Sequence, residues 1–372
     1  MWDDQGVTQG FLGAPVMMQN PVKLARIWRE AICSNGKFAL DKNPSRSLGY
    51  PAQDLARSYF RQWQPIKDKR SLAFDENGAK IANFDPYKDS WFDYPLVVRN
   101  KLGGSWELYN LLTTIHVPAC TFSCWHCYVD DQAKNLQQML KRDSIEYVSA
   151  SDIVDAFLSQ REMDKERGRK TNVLRVSGGE PFLAPDLILQ ILKYLEMKDL
   201  SDEVFVWTET NLSPFLKDDG SSKSLVEEWV DLRELAKYAN LAVHPCLHGI
   251  SPSNYHNITQ CDPYYFDGLL SGLDMLVRLR FDVYPTIGSN VSPPSMIPYI
   301  FRRIRDIHKD LPQRFALIDY DLLYPPTRER ILKTLKPTRL YNKLAVIRTW
   351  DRLLKECYGE SYPVKPRHMV SL

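Results

Sequence analysis

Cys120-Thr121-Phe122-Ser123-Cys124-Trp125-His126-Cys127 packs three thiols into eight residues, and Ser177-Gly178-Gly179-Glu180-Pro181 follows some fifty residues later. Each stretch comes directly after an apolar run of strand character, near 111–117 for the first and near 172–177 for the second. The pattern recurs downstream. Strands are predicted near 203–208, 241–247, 281–287 and 314–319, with amphipathic helices near 151–167, 186–198, 224–239, 264–280 and 295–309 between them. Alternating strands and helices imply a parallel sheet with crossover helices, hence an α/β fold. Six strand–helix units are too few for a full eight-fold barrel, so the expectation is a partial one.

In such folds the loops after the carboxyl ends of the strands open on one face and carry the chemistry. Here those loops are the cysteine cluster, the Gly-Gly-Glu-Pro stretch, Thr208-Glu209-Thr210-Asn211, Cys246-Leu247-His248-Gly249, Gly288-Ser289-Asn290 and Asp319-Tyr320-Asp321. One shared site follows. Three thiolates on a tight loop can ligate three corners of an iron–sulfur cubane, leaving the fourth iron to an exogenous bidentate ligand. The same thiols also suit a structural zinc ion with His126 or His116 as the fourth ligand. Phe122, Trp125 and Tyr128 would shield a cluster from water, which favours the cubane. Gly178 and Gly179 let the backbone approach a ligand closely, and Glu180 adds an acceptor suited to an amino group; the stretch also reads as a turn before a helix.

The cysteine spacing, followed on the next strand by Gly178-Gly179-Glu180-Pro181, resembles the radical S-adenosylmethionine (radical SAM) superfamily over roughly residues 108–321. The resemblance implies a partial (βα)6 barrel in which Cys120, Cys124 and Cys127 bind three irons of a 4Fe–4S cluster. It also implies that Gly178, Gly179 and Glu180 hold the methionine amino group of the cofactor, S-adenosyl-L-methionine. Thr208-Glu209-Thr210-Asn211 is similar to the Thr-Asn-Gly stretch of glycyl-radical activating enzymes, with Leu212 standing where those enzymes usually have Gly. They tend to carry Asp-Leu-Lys after strand four; this chain has Cys246-Leu247-His248. Thr208, Glu209, Asn211, His248 and Ser289 are therefore the further cofactor-binding candidates, with His248 either meeting the cofactor carboxylate or sitting as a satisfied buried histidine. Ser289, Asn290 and Asp319 could equally cap the helices that follow them.

The implied activity is reductive cleavage of S-adenosylmethionine to a 5′-deoxyadenosyl radical that abstracts hydrogen from a substrate, in an oxidoreductase or activase-like enzyme. Its electron donor would be reduced flavodoxin or ferredoxin; its substrate could be a protein glycine, a small metabolite or a modified nucleotide. The competing reading is a zinc-stapled nucleic-acid-binding module without radical chemistry.

Outside the core the sequence divides into an N-terminal extension over 1–105, the core over 106–323 and a basic C-terminal extension over 324–372. The last holds 11 Lys and Arg against 4 Asp and Glu, a net of +7 in a chain whose total is +2. Arg328, Arg330, Lys333, Lys336 and Arg339 follow the final strand, either as a solvated helix face or as contacts for an acidic substrate or nucleic acid. In the N-terminal extension, Leu24, Ile27, Trp28, Ala31 and Ile32 have helical spacing before a stop at Gly36. Arg57, Tyr59, Phe60, Arg61, Trp63, Lys67, Lys69 and Arg70 interleave cations with aromatics, as stacking on nucleic acid or docking on the barrel would require. Cys33, Cys246, Cys261 and Cys357 are scattered and suggest no second cluster. No apolar run approaches a membrane span, and Met1-Trp2-Asp3-Asp4 does not begin a signal peptide, so the expected location is the cytoplasm.

Overall fold

Val, Ile, Leu and Thr runs too short for helices build the wall of the fold. The computed structural model describes residues 18–42, 61–63, 110–130, 144–168, 170–318 and 341–362, with positions 141, 327, 329, 330, 364, 367 and 370–372. Six parallel strands follow one another in space in their chain order: β4 (Asn110–Val117), β6 (Lys170–Gly178), β7 (Phe205–Thr210), β8 (Leu241–Leu247), β9 (Thr286–Gly288) and β10 (Ala316–Ile318). Among the described residues β10 pairs with β9 and not with β4, so the wall is an open arc, a partial (βα)6 barrel. An edge strand β3 (Arg61–Trp63) runs antiparallel to β4.

The crossover helices lie close to their predicted positions: α2 (Ala150–Glu166), α3 (Pro185–Met197), α7 (Phe266–Arg278) and α8 (Ile297–Ile307). In α3, Leu187, Ile188, Ile191, Leu192 and Leu195 make one buried stripe, and each such side chain contributes roughly 1.5–3 kcal/mol of burial. The single helix predicted over 224–239 is instead two short ones, α4 (Leu225–Trp229) and α5 (Leu232–Ala236). Val230 goes extended between them, and the Asp231 carboxylate accepts from Arg233 N to start the second helix. Between β8 and α7, α6 (Pro252–Thr259) packs beside the cysteine loop.

Near the N-terminus, α1 (Pro21–Ile32) forms where the apolar spacing places it, and it docks through Arg29 on Asp186 and the Leu183 carbonyl. Gly36 is not the residue that ends it. The helix gives way at Cys33, and Asn35 and Gly36, at φ of 51° and 70°, form a two-residue turn between β1 (Cys33–Ser34) and β2 (Lys37–Asp41). Asn-Gly is the pair that such a hairpin turn favours, because both positions need positive φ. β2 then pairs with β5 (Ile145–Val148), so segments distant in sequence close a small antiparallel sheet.

After the barrel, α9 (Lys343–Tyr358) buries Val346, Trp350 and Leu354, with the Trp350 ring against Phe301 and Phe315. Its charged residues pair along the outer face, Asp351 with Lys355 and Arg352 with Glu356. Among the described residues no helix is long and apolar enough to cross a membrane. Of the cation–aromatic segment only Arg61–Trp63 falls in the described residues; Asp319 to Asp321, Arg328, Lys333, Lys336 and Arg339 lie outside them.

Candidate active site at the cysteine loop

β4 delivers the cysteine loop to the carboxyl end of the barrel, where the rest of the molecule holds it by its backbone. Ser123 N and Trp125 N donate to the Thr259 and Ile258 carbonyls at the end of α6, at 3.1 and 3.3 Å. From the opposite side Thr327 Oγ1 donates to the Cys127 carbonyl at 2.9 Å, and Arg330 donates to the Cys127 and Val129 carbonyls. One of the expected basic-tail residues therefore clamps the loop. Cys124 is buried, whereas Cys120 and Cys127 are half-buried. N–H groups point at two of the sulfurs: Asn211 Nδ2 and Phe122 N lie 3.3 and 3.5 Å from Cys120 Sγ, and Val129 N lies 3.4 Å from Cys127 Sγ.

Gly178 and Gly179 bring the next strand end against this loop. Gly179 N donates to Val117 O at 2.8 Å and Glu180 N to Ala119 O at 2.9 Å, which continues the β4–β6 pairing up to the first cysteine. A Cβ on Gly179 would fall 1.7 Å from Ala119 O, and one on Gly178 would fall 2.7 Å from Val117 O, so side chains there would push the loop away. The close approach expected towards a ligand is made in the structure to the cysteine loop's own backbone.

Glu180 is fully buried and is held by the protein itself. Oε1 accepts from Phe182 N and Thr210 Oγ1 at 3.0 and 2.8 Å, and Oε2 accepts from Asn211 N at 2.6 Å. Burial pushes its pKa up to about 8, against the pull of those three donors. A carboxyl with a raised folded pKa favours the folded state most below its unfolded value of 4.5, and that contribution is lost as pH rises through about 8. Glu180→Gln is accordingly expected to flatten the fall in melting temperature of the cluster-free chain between these two pH values. An unchanged slope would mean that Glu180 is already ionised in the folded chain.

Asn211, just after β7, donates through its backbone N to Glu180 Oε2 and through Nδ2 to Cys120 Sγ, while its Oδ1 accepts from Ser213 N at 2.8 Å. Leu212 next to it has φ of 67°. A left-handed residue is required there, and a non-glycine residue pays for it with about 1–2 kcal/mol, a cost that glycine would not carry.

Glu209 turns into the barrel, where a polar cluster surrounds it. Ser177 Oγ donates to Glu209 Oε2 at 2.6 Å, Tyr128 donates to the same oxygen at 3.1 Å, Arg175 pairs with Oε1, and His244 Nδ1 lies 3.8 Å away. Burial alone would raise its pKa, but the Arg175 guanidinium, with His244 and Ser177, holds it down at about 2. His244 goes down to about 4, because burial outweighs the attraction of Glu209. Tyr128 follows Cys127 directly, so this cluster is joined to the cysteine loop. Arg175 and His244 were not among the sequence candidates; the available signal was a charged or titratable residue in the middle of an apolar strand, Val173-Leu174-Arg175-Val176 and Ala242-Val243-His244.

His248 leaves the end of β8 and stacks on His126 of the cysteine loop, with ring centroids 5.4 Å apart and 25° between planes. Cys124, His126 and His248 place one ligand atom each within 4.8 Å of one another. Two candidates lie elsewhere. Thr208 alternates with Glu209 along β7, so its side chain is on the other face of the sheet. Ser289 N and Oγ both donate to Ile318 O, at 2.7 and 3.1 Å, tying β9 to β10.

An open parallel barrel with a cysteine loop and a glycine-tethered acceptor at the carboxyl ends of its strands defines an enzyme-type βα domain. Residues 114–296 match the family model described as the Radical SAM superfamily. Over those residues the chain is similar to that superfamily. Among solved structures, Streptococcus suis SuiB bound to precursor peptide SuiA aligns at 14% identity and a TM-score of 0.43, covering 76% of this chain and 54% of that one. SuiB bound to S-adenosylmethionine aligns at 13% and 0.37, covering 60% and 46%, and anSMEcpe with bound AdoMet at 13% and 0.33, covering 66% and 63%. The chain thus spans about half the length of the SuiB chains it matches. A search of curated proteins gave no significant match.

Proposed function

We propose that this chain is a radical SAM enzyme in which Cys120, Cys124 and Cys127 bind three irons of a 4Fe–4S cluster. The observation that carries the reading is the set of N–H groups directed at Cys120 and Cys127 sulfur, the hydrogen bonding that thiolate ligands of a cluster need, on a loop lined by Phe122 and Trp125. When bound, the cluster would supply the electron for reductive cleavage of S-adenosylmethionine to a hydrogen-abstracting 5′-deoxyadenosyl radical. The chain's own residues hold and orient. Gly178 and Gly179 fix the strand end beside the loop, and Glu180 would accept from the methionine ammonium, whose positive charge would favour its ionised form. Asn211 ties that carboxylate to Cys120. Glu209, kept ionised by Arg175, organises the chamber wall below. Thr208 and Ser289 act in this reading through the strands they belong to, and His248 at the rim of the loop.

The finer assignment is an oxidoreductase or activase-like enzyme of the cytoplasm, reduced by flavodoxin or ferredoxin. Its core spans 106–323 between an N-terminal extension (1–105) and a basic C-terminal one (324–372). Its substrate is a small molecule, a protein or a nucleotide. The test is anaerobic reconstitution with iron and sulfide, then dithionite and S-adenosylmethionine, with 5′-deoxyadenosine and methionine followed by mass spectrometry. Brown protein that forms both products is expected; colourless protein that forms neither would leave the zinc-stapled module as the better account.

A further inference from the structure

Cys124, His126 and His248 meet without help from the other two cysteines. Their ligand atoms lie within 4.8 Å of one another, and among the described residues they are the group of three with metal-ligand spacing. Cys120 and Cys127 stand outside it, their sulfurs instead receiving N–H donors from Asn211, Phe122 and Val129. Bond lengths of 2.0–2.3 Å in a tetrahedral site put ligand atoms about 3.3–3.8 Å apart, so a small closure suffices. The ring geometry agrees. Two imidazoles on one tetrahedral ion have centroids about 5 Å apart, and His126 and His248 have theirs at 5.4 Å.

The surroundings suit an ion with nitrogen and sulfur ligands. His126 and Cys124 are buried, Trp125 sets its edge on His126, and Phe122 sets its edge on His248 and Tyr255, which leaves an apolar cover. The backbone around Cys124 and His126 is pinned by the α6 carbonyls and by Thr327, which donates to the His126 carbonyl at 3.3 Å.

We propose that the cluster-free chain binds one zinc-type divalent cation on Cys124 Sγ and the His126 and His248 rings, with a solvent molecule completing the tetrahedron. Two imidazoles and a thiolate are a borderline-soft set that suits zinc. Resting on the cluster reading above, the shared Cys124 makes the two metal states mutually exclusive: the zinc form withholds one of the three cluster ligands.

The experiment uses the full chain, stripped of iron and kept reduced, titrated anaerobically with zinc chloride against a chromophoric chelator and separately with cobalt chloride. One equivalent of zinc is expected to bind. His126→Ala and His248→Ala should each weaken it more than about 100-fold, beyond what loss of an outer partner causes, while Cys120→Ser and Cys127→Ser leave it unchanged. The cobalt spectrum of the unsubstituted chain, which depends on no variant folding, should show thiolate charge transfer from a single sulfur. Binding that survives the histidine substitutions but is lost in Cys120→Ser and Cys127→Ser, a cobalt spectrum of three thiolates, or the absence of a stoichiometric site would each overturn the proposal. Zinc-loaded chain given iron and sulfide should stay colourless until a chelator is added. If zinc-free chain also fails to form a cluster, the radical SAM reading falls, and the titration still decides the zinc site.

Discussion

Cys120→Ala, Cys124→Ala and Cys127→Ala each abolish iron and sulfide uptake on reconstitution, whereas Cys33→Ala and Cys357→Ala retain the wild-type content. The expectation rests on ligand count and on place. A cubane held by two thiolates loses its grip on the protein, and no other cysteine stands ready to replace the missing one. Cys33 lies at the start of β1, where burial pushes its thiol up to about 11. Cys357 is exposed near the end of α9, and its sulfur accepts from Arg305. Cys261 touches the loop, with its sulfur 3.9 Å from the Thr121 carbonyl, yet burial pushes its thiol up to about 11 and keeps it protonated. Iron and acid-labile sulfide analysis of the five variants decides the matter. Near-normal iron in Cys124→Ala would remove the cluster from this loop.

The barrel was legible in the sequence because each strand is an apolar run followed by chemistry, and the helices between are amphipathic over several turns. Reading failed where long-range pairing decides. β5 is four residues long and forms because β2 lies beside it, a partner more than a hundred positions away that no local pattern announces. The Asn35-Gly36 pair carries its own turn signal, beside the longer apolar spacing of the helix before it. β9 is shorter than predicted because Pro285, lacking an N–H, breaks the ladder before Thr286. At the site, the cysteine and Gly-Gly-Glu stretches were plain from residue type and spacing, but which face a side chain takes was not. Thr208 and Glu209, adjacent in sequence, part company across the sheet, and Arg175 and His244 join Glu209 only through the pairing of β6, β7 and β8.

The second large effect is expected at that cluster. Arg175 and Glu209 are each 13% exposed, and the protein removes both from water. Arg175→Met leaves the Glu209 carboxylate facing Tyr128, Ser177 and a neutral His244, and stranding one member of a buried ion pair costs about 3–5 kcal/mol. Arg175→Met/Glu209→Leu should recover most of this, because neither charge then remains to be desolvated. The pH dependence separates an electrostatic cause from a packing one. In the wild type Glu209 has its pKa depressed to about 2 from 4.5, so its contribution to stability is present above pH 4.5 and is lost as pH falls towards 2. His244, lowered to about 4 from 6.5, likewise favours folding less as pH falls from 6.5, while Glu180 opposes both with its slope of the other sign. In Arg175→Met the burial of Glu209 goes uncompensated and its pKa rises above 4.5, so the acid-side loss from Glu209 disappears and the variant approaches wild-type stability as pH falls. Urea unfolding of the cluster-free chain across a pH series measures this directly. A stability gap between wild type and Arg175→Met that stays constant with pH would show that Arg175 supports the barrel by filling space, with its charge contributing nothing.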